Sequence, residues 1–189
     1  MRRVKMVALV MMGSTLVFCS TTHGGEDTTS RVRGRLSQGY ESAPAASELE
    51  ALGPGVDKAL IEIYRDPASP MLQRMRALDL LASYPSEELK TLLDAESART
   101  DLAPALARRL MAVSLRAFGE REPAVAERVW AANSASKDAT VRYDAAQALG
   151  KMKQPSAQLL RVARERVATE TDLAVRGELE KRITAAEPR

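Results

Sequence analysis

The sequence predicts an all-α protein, a short α-solenoid of about four antiparallel helix pairs with a period near 34 residues. Two observations predict this fold class. Ala, Leu, Arg and Glu dominate the 189 residues, of which 45% are apolar but only 4% aromatic, a composition typical of helices. Arginines on apolar stripes also recur at a fixed interval, which is the signature of a repeat architecture.

The repeat is marked by Arg74, Arg108, Arg142 and Arg176, each 34 residues after the one before. Apolar residues stand three and seven positions after every arginine: Ala77, Met111, Ala145, Leu179, Leu81, Leu115, Leu149 and Ile183. Offsets of 0, 3 and 7 share one face of an α-helix. Each arginine is therefore expected near the start of its helix on the buried side, where the helix dipole disfavours a cation.

We expect the four arginines to form a structural ladder. Each stem would lie on the core, and each guanidinium would donate hydrogen bonds to carbonyls or carboxylates at a neighbouring turn. Asp138 and Asp172, each four residues before an arginine, are expected as N-caps and as ladder acceptors. Asp101, seven residues before Arg108, is expected to cap that helix. Partner helices lie between the arginine helices, and their apolar residues include Leu60, Ile63, Leu89, Leu92, Val125, Val129, Leu159 and Val162.

Two segments resemble a known repeat family. Residues 141–150, VRYDAAQALG, resemble the second helix of a HEAT repeat of the short variety found in phycobilisome-lyase-type proteins. Residues 52–60, LGPGVDKAL, are similar to that family's passage from one repeat into the next. The resemblance covers about residues 45–186. It implies a repeat domain that holds protein partners along an extended surface.

The N-terminus, residues 1–19, has the pattern of a bacterial signal peptide. Basic residues in 1–5 precede an apolar run over 6–18 that is too short to span a membrane. Residues 16–19, LVFC, resemble a lipobox, which implies diacylglycerol and an N-acyl chain on Cys19. Phe18 stands where lipoboxes carry Gly, Ala or Ser, so cleavage by an ordinary signal peptidase, releasing a soluble protein, is the alternative. Ser20 resembles the residue that sends lipoproteins to the outer membrane, and we expect export to the periplasm in either case.

Residues 20–44 are rich in Ser, Thr, Gly and charge and have no apolar period. They are predicted to form a flexible linker, with the repeat domain following over 45–186. The only histidine, His23, lies in this linker. No second ligand for a metal ion stands near it.

The charge pattern argues against a nucleic-acid partner. Arg2, Arg3 and Lys5 account for the net charge of +3, and the remaining 25 basic residues equal the 25 acidic ones. Catalytic signatures are missing too, because the predicted repeat domain contains neither Cys nor His for nucleophilic or metal chemistry. We expect no enzyme activity and no cofactor beyond acyl chains on Cys19.

Trp130 and Tyr143 are the candidates for an interaction surface, since exposed aromatic side chains often anchor partners. Packing in the core is the alternative for Trp130. The expected function is that of a non-catalytic, protein-binding scaffold in the cell envelope, with an unknown protein partner. The alternatives are a lyase-like or chaperone-like accessory factor and a structural domain without a binding role.

Overall fold

A computed structural model describes residues 27–38 and 44–186 of the chain. All regular secondary structure within these two ranges is α-helical, which confirms the all-α prediction. The predicted signal peptide, Cys19 with its lipobox, Ser20 and His23 lie outside the described residues.

Ten helices follow one another through the described residues. They are α1 (Thr28–Ser37), α2 (Ala46–Glu50), α3 (Val56–Arg65), α4 (Met71–Leu81), α5 (Glu87–Ser97), α6 (Pro104–Phe118), α7 (Pro123–Ser134), α8 (Ala139–Leu149), α9 (Ala157–Thr169) and α10 (Leu173–Ala186).

Local sequence signals account for many of the helix boundaries. The side chains of Ser86 and Ser156 accept a backbone N–H at the starts of α5 and α9, as N-cap hydroxyls commonly do. α6 and α7 begin with a proline, whose missing N–H costs nothing at that position. Between α2 and α3, Gly53 and Gly55 both adopt positive φ angles of 98° and 85°, which residues with a Cβ rarely tolerate.

The helices pack in a regular order. α3 contacts α4, α5 contacts α6, α7 contacts α8, and α9 contacts α10. The later helix of each pair also contacts the later helix of the next, so that α4, α6, α8 and α10 touch in succession; we call these four the second helices. Among the first helices, α5 contacts α7, α7 contacts α9, and α1 contacts α3.

The apolar residues predicted from the repeat lie in one continuous core. Seven of the eight positions after the arginines are buried, and the eighth, Leu115, is partly buried. Tyr64, Phe118 and Trp130 are the largest fully buried side chains. Burial of Leu, Val, Ala and Met side chains therefore stabilises this domain.

The prediction of a flexible linker over 20–44 is wrong for residues 28–37, which form α1. Val32 and Leu36, one helical turn apart, are completely buried and dock α1 on α3 and α4. Arg33 pairs with Asp66 at 3.1 Å, and the buried Arg76 donates to the Leu36 carbonyl oxygen at 2.7 Å. The folded domain therefore begins at α1 rather than at residue 45.

We predict that Leu36→Ala lowers the free energy of unfolding by about 2–5 kcal/mol, because it leaves a cavity under α1. Leu72→Ala is the matched control. Leu72 is 42% exposed, so its truncation is expected to cost less than about 0.5 kcal/mol. Urea denaturation followed by circular dichroism measures both. Equal stabilities for the two variants would show that α1 is not part of the core.

Candidate functional site

Arg74 binds the end of the helix that precedes its own. It is the fourth residue of α4, and its Nε–H donates to the Tyr64 carbonyl oxygen in the last turn of α3 at 2.8 Å. The guanidinium also lies 5.5 Å from the centre of the Tyr64 ring, a favourable cation–π distance. The last carbonyls of a helix have no partner inside that helix, so Arg74 acts as a cap for α3.

Arg142 and Arg176 make the same connection in the following pairs. Each is the fourth residue of its helix. Arg142 donates to the carbonyl oxygens of Ser136 and Lys137, just after α7, at 2.9 and 3.0 Å. Arg176 donates through Nε and Nη2 to the Glu170 carbonyl oxygen at the C-cap of α9. Three of the four predicted ladder arginines therefore bind the end of the preceding helix.

Glu170 is the carboxylate that the sequence analysis missed. It forms a two-point ion pair with Arg142, with Nε–Oε2 and Nη2–Oε1 distances of 2.7 and 2.9 Å. The two side chains are only 16% and 6% exposed. Hydrogen bonding to Arg142 lowers the pKa of Glu170 to about 2, although burial opposes the shift. The available sequence signal was a single acidic residue two positions before the N-cap Asp172.

The ladder prediction is wrong for Arg108. Its side chain is 48% exposed and pairs with Asp144 of α8 at 3.3 Å. Arg108 is the fifth residue of α6, and one extra residue turns a side chain by about 100° around the helix. Ala107 occupies the fourth position, and Leu110 and Ser114, three and seven residues beyond it, are fully buried.

Asp138 and Asp172 are N-caps, as predicted. Asp138 accepts the N–H groups of Thr140 and Val141, and Asp172 accepts those of Ala174 and Val175. These bonds occupy the carboxylates, so neither acts as the predicted hydrogen-bond acceptor of the ladder. The third expected cap, Asp101, pairs with Arg99 instead.

Trp130 is not part of any surface. It is fully buried, and its Nε1–H donates to the Ala145 carbonyl oxygen at 2.6 Å, so core packing is the correct alternative. Tyr143 is partly buried against the core and lines a cavity of about 340 Å³ beside Ala139 and Val175. Of the two aromatic candidates, only Tyr143 remains accessible to a partner.

A groove crosses α4, α6 and α8, and we call it the α6 groove. It has a volume of about 1010 Å³. Its apolar lining includes Met75, Leu80, Ala105 and Ala112, and its charged lining consists of Asp79, Arg108, Arg109, Arg116 and Asp144. The sequence analysis gave the arginines of α6 no role at the surface, apart from the ladder role of Arg108.

The charges of the α6 groove are paired unequally. Arg109 Nη1–H donates to Asp79 Oδ2. Arg116 Nη2–H donates to the Asp79 carbonyl oxygen and to Oδ1 at 3.2 and 3.4 Å. The side chains of Arg109 and Arg116 are 38% and 55% exposed. One carboxylate thus serves two guanidinium groups, and both remain in contact with solvent.

A second concave site lies between α3 and α5, and we call it the α3–α5 cleft. It has a volume of about 800 Å³ and its charged lining consists of Lys58, Glu62, Arg65, Asp66, Glu87 and Glu88. Ile61, which is buried, lies among them. The cleft therefore carries an excess of acidic side chains, whereas the α6 groove carries an excess of basic ones.

Two further searches cover residues 27–38 and 44–186. No group of His, Cys, Asp and Glu side chains in these ranges has the arrangement of a metal site. Within the same ranges, every helix is too short or too polar to cross a bilayer.

We predict that Glu170→Gln removes part of the pH dependence of stability. Glu170 has a pKa of about 2 in the folded protein against an ordinary value of 4.5. Its ionised form therefore stabilises the fold above about pH 4.5, and this stabilisation is lost as the pH falls towards 2. The shift corresponds to about 3 kcal/mol.

Urea denaturation between pH 2 and pH 7 measures this effect. The difference between wild type and Glu170→Gln should be largest near pH 7 and should shrink towards pH 2. Glu165→Gln, an exposed change on α9, is the control and should stay within about 0.5 kcal/mol of wild type. A difference between wild type and Glu170→Gln that does not change with pH would contradict the account.

Comparisons with known proteins identify no relative. No family model matches the chain, and no curated protein or solved structure matches it. The resemblance to HEAT repeats thus stays a prediction, and function has to be argued from the surfaces described above.

Proposed function

We propose that this chain is a short HEAT-like α-solenoid that acts as a non-catalytic, protein-binding scaffold of the cell envelope, with the α6 groove as its binding face. The single observation that carries the proposal is an open, charged groove crossing three successive second helices. Stacked helix pairs use their extended surfaces in this way. The support comes from the repeat geometry and from the groove itself.

Contacts between helices of the same rank recur at a nearly constant sequence separation. The separation is 33 for Thr29–Glu62 and Arg33–Asp66, 32 for Tyr64–Glu96 and Lys90–Glu122, 34 for Asp94–Arg128 and 36 for Arg108–Asp144. A solenoid in which each repeat touches the next predicts contacts near its period. The values support a period near 34 residues.

The order of these contacts supports antiparallel pairing. Thr29 and Arg33 meet Glu62 and Asp66 in the same order along the chain, so α1 and α3 run in the same direction. α5 and α7 do likewise, through the pairs Lys90–Glu122 and Asp94–Arg128. A first helix that repeats its direction requires the intervening second helix to run back.

The α6 groove has the composition of a protein-binding surface. Arginine is enriched among the residues that dominate interface energies, and three arginines with exposed guanidinium groups line this groove. Ala105 and Ala112 on α6 leave space above the helix backbone, and Met75 adds flexible apolar surface of the kind found at adaptable interfaces.

The place of action follows from the N-terminal sequence. The signal-peptide pattern supports export, and Cys19 in its lipobox-like context supports an anchor in the outer membrane. A scaffold held at the membrane would meet its partners in the periplasm. Export without acylation would leave the same domain soluble in that compartment.

We predict that Ala112→Trp abolishes partner binding by filling the α6 groove. The purified protein is immobilised, exposed to proteins of the envelope fraction, and the bound proteins are quantified. We expect Ala112→Trp to lower the recovery of specific partners by about tenfold or more, the effect of losing an interface hot spot.

Ala95→Trp is the matched control, because Ala95 is also an exposed alanine within a helix, on α5 away from the groove. It introduces the same sticky aromatic side chain and should bind as wild type does. Equal recovery from wild type and both variants would exclude the α6 groove as the binding face.

A further inference from the structure

We propose that the α6 groove recognises an extended acidic peptide segment, a conclusion that rests on the proposed function and names the chemistry of its partner. The inference starts from the charge of α6. This helix carries Arg108, Arg109 and Arg116 and contains no Asp or Glu. The carboxylates that balance it come from its neighbours, Asp79 on α4 and Asp144 on α8.

The balance is incomplete. Arg109 and Arg116 share Asp79, while Arg108 pairs with Asp144 alone, so the charged lining of the groove has one more cation than anion. All three guanidinium groups are between 38% and 55% exposed. An incoming carboxylate could reach them without first being stripped of all its water, which would be costly.

The arginines point to different partners, and this favours an extended ligand over a compact anion. Arg109 and Arg116 converge on Asp79 at the α4 side of the groove, whereas Arg108 reaches Asp144 at the α8 side. A single phosphate or carboxylate group cannot serve both sides. A chain with acidic side chains at intervals can.

The dimensions fit a short extended segment. Packed helix axes lie about 8–10 Å apart, so the path from α4 over α6 to α8 is about 20 Å long. An extended chain advances about 3.3 Å per residue, and about six residues span that distance. Apolar side chains of such a segment would contact Met75, Leu80, Ala105 and Ala112, while acidic ones would meet the arginines.

The other concave site has the opposite sign. Four acidic and two basic side chains line the α3–α5 cleft, so it would repel an acidic segment. Complementary charge mainly gives specificity and speed of association. An acidic partner is therefore directed to the α6 groove and away from the cleft. A nucleic-acid strand is less favoured, because residues 19–189 carry equal numbers of basic and acidic side chains.

Binding of labelled peptides to the purified protein tests the proposal by fluorescence anisotropy. Three peptides share the same apolar residues and carry Glu, Gln or Lys at alternate positions, and a single-stranded oligonucleotide is the fourth probe. The Glu peptide should bind about tenfold more tightly than the other three probes, and added salt should weaken its binding.

Two groove variants should act in opposite directions. Asp79→Asn removes the internal competitor for two arginines and should tighten binding of the Glu peptide by about two- to fivefold. Arg116→Gln should weaken it by about the same factor. Arg128→Gln is the control, because Arg128 is 53% exposed and pairs with Asp94 on the first helices in the same way; it should leave the affinity unchanged.

Equal affinity for the Glu and Gln peptides would overturn the inference, as would tighter binding of the Lys peptide or the oligonucleotide. So would an unchanged affinity in Arg116→Gln, the variant that keeps the test valid if Asp79→Asn does not fold. These outcomes are distinct from failure of the proposed function. If Ala112→Trp still abolishes partner capture, the groove binds proteins and only the acidic class is wrong.

Discussion

The guanidinium group at the fourth position of a second helix joins two helix ends that would otherwise leave polar groups unsatisfied. The final carbonyls of an α-helix lack partners within the helix, and a buried carbonyl without a donor costs free energy. Arg74, Arg142 and Arg176 supply that donor to α3, α7 and α9. Each bond also fixes where the second helix starts relative to the end of the first, and this relation positions the rest of the pair.

The strongest version of this contact involves Arg142 and Glu170. Arg142 bonds two carbonyls after α7 and, at the same time, the carboxylate at the end of α9. One side chain therefore links three successive helices of the stack, α7, α8 and α9. Because both charges are almost fully buried, removing one partner would leave the other uncompensated.

Much of this fold could be predicted from the sequence because it rests on local rules. Helical composition, the apolar positions after each arginine and the N-caps Asp138 and Asp172 all follow from spacing and side-chain chemistry. The α1 helix could not be predicted, because only Val32 and Leu36 mark its buried face and its other anchors are ion pairs with distant residues. Glu170 was missed because nothing in the sequence distinguishes a buried acid in a short connection from an exposed one.

The exception at Arg108 links the irregularity of the repeat to the candidate site. The connection before α6, residues 98–103, is the longest of the four within helix pairs, and the buried face of α6 is set from Ala107 rather than from Arg108. Sequence spacing places Arg108 in perfect register, yet the register of the helix is shifted by one residue. That shift turns the arginine out of the ladder and into the α6 groove, beside Arg109 and Arg116.

The most direct test of this account compares the same substitution at two positions that the sequence repeat treats as equivalent. Arg142→Gln and Arg108→Gln are unfolded with urea at pH 7. The account predicts a loss of about 3–5 kcal/mol for Arg142→Gln, which breaks a buried ion pair, and of less than about 1 kcal/mol for Arg108→Gln, which breaks an exposed one. Equal losses at the two positions would contradict the account, since the repeat position alone would then determine the role of the arginine.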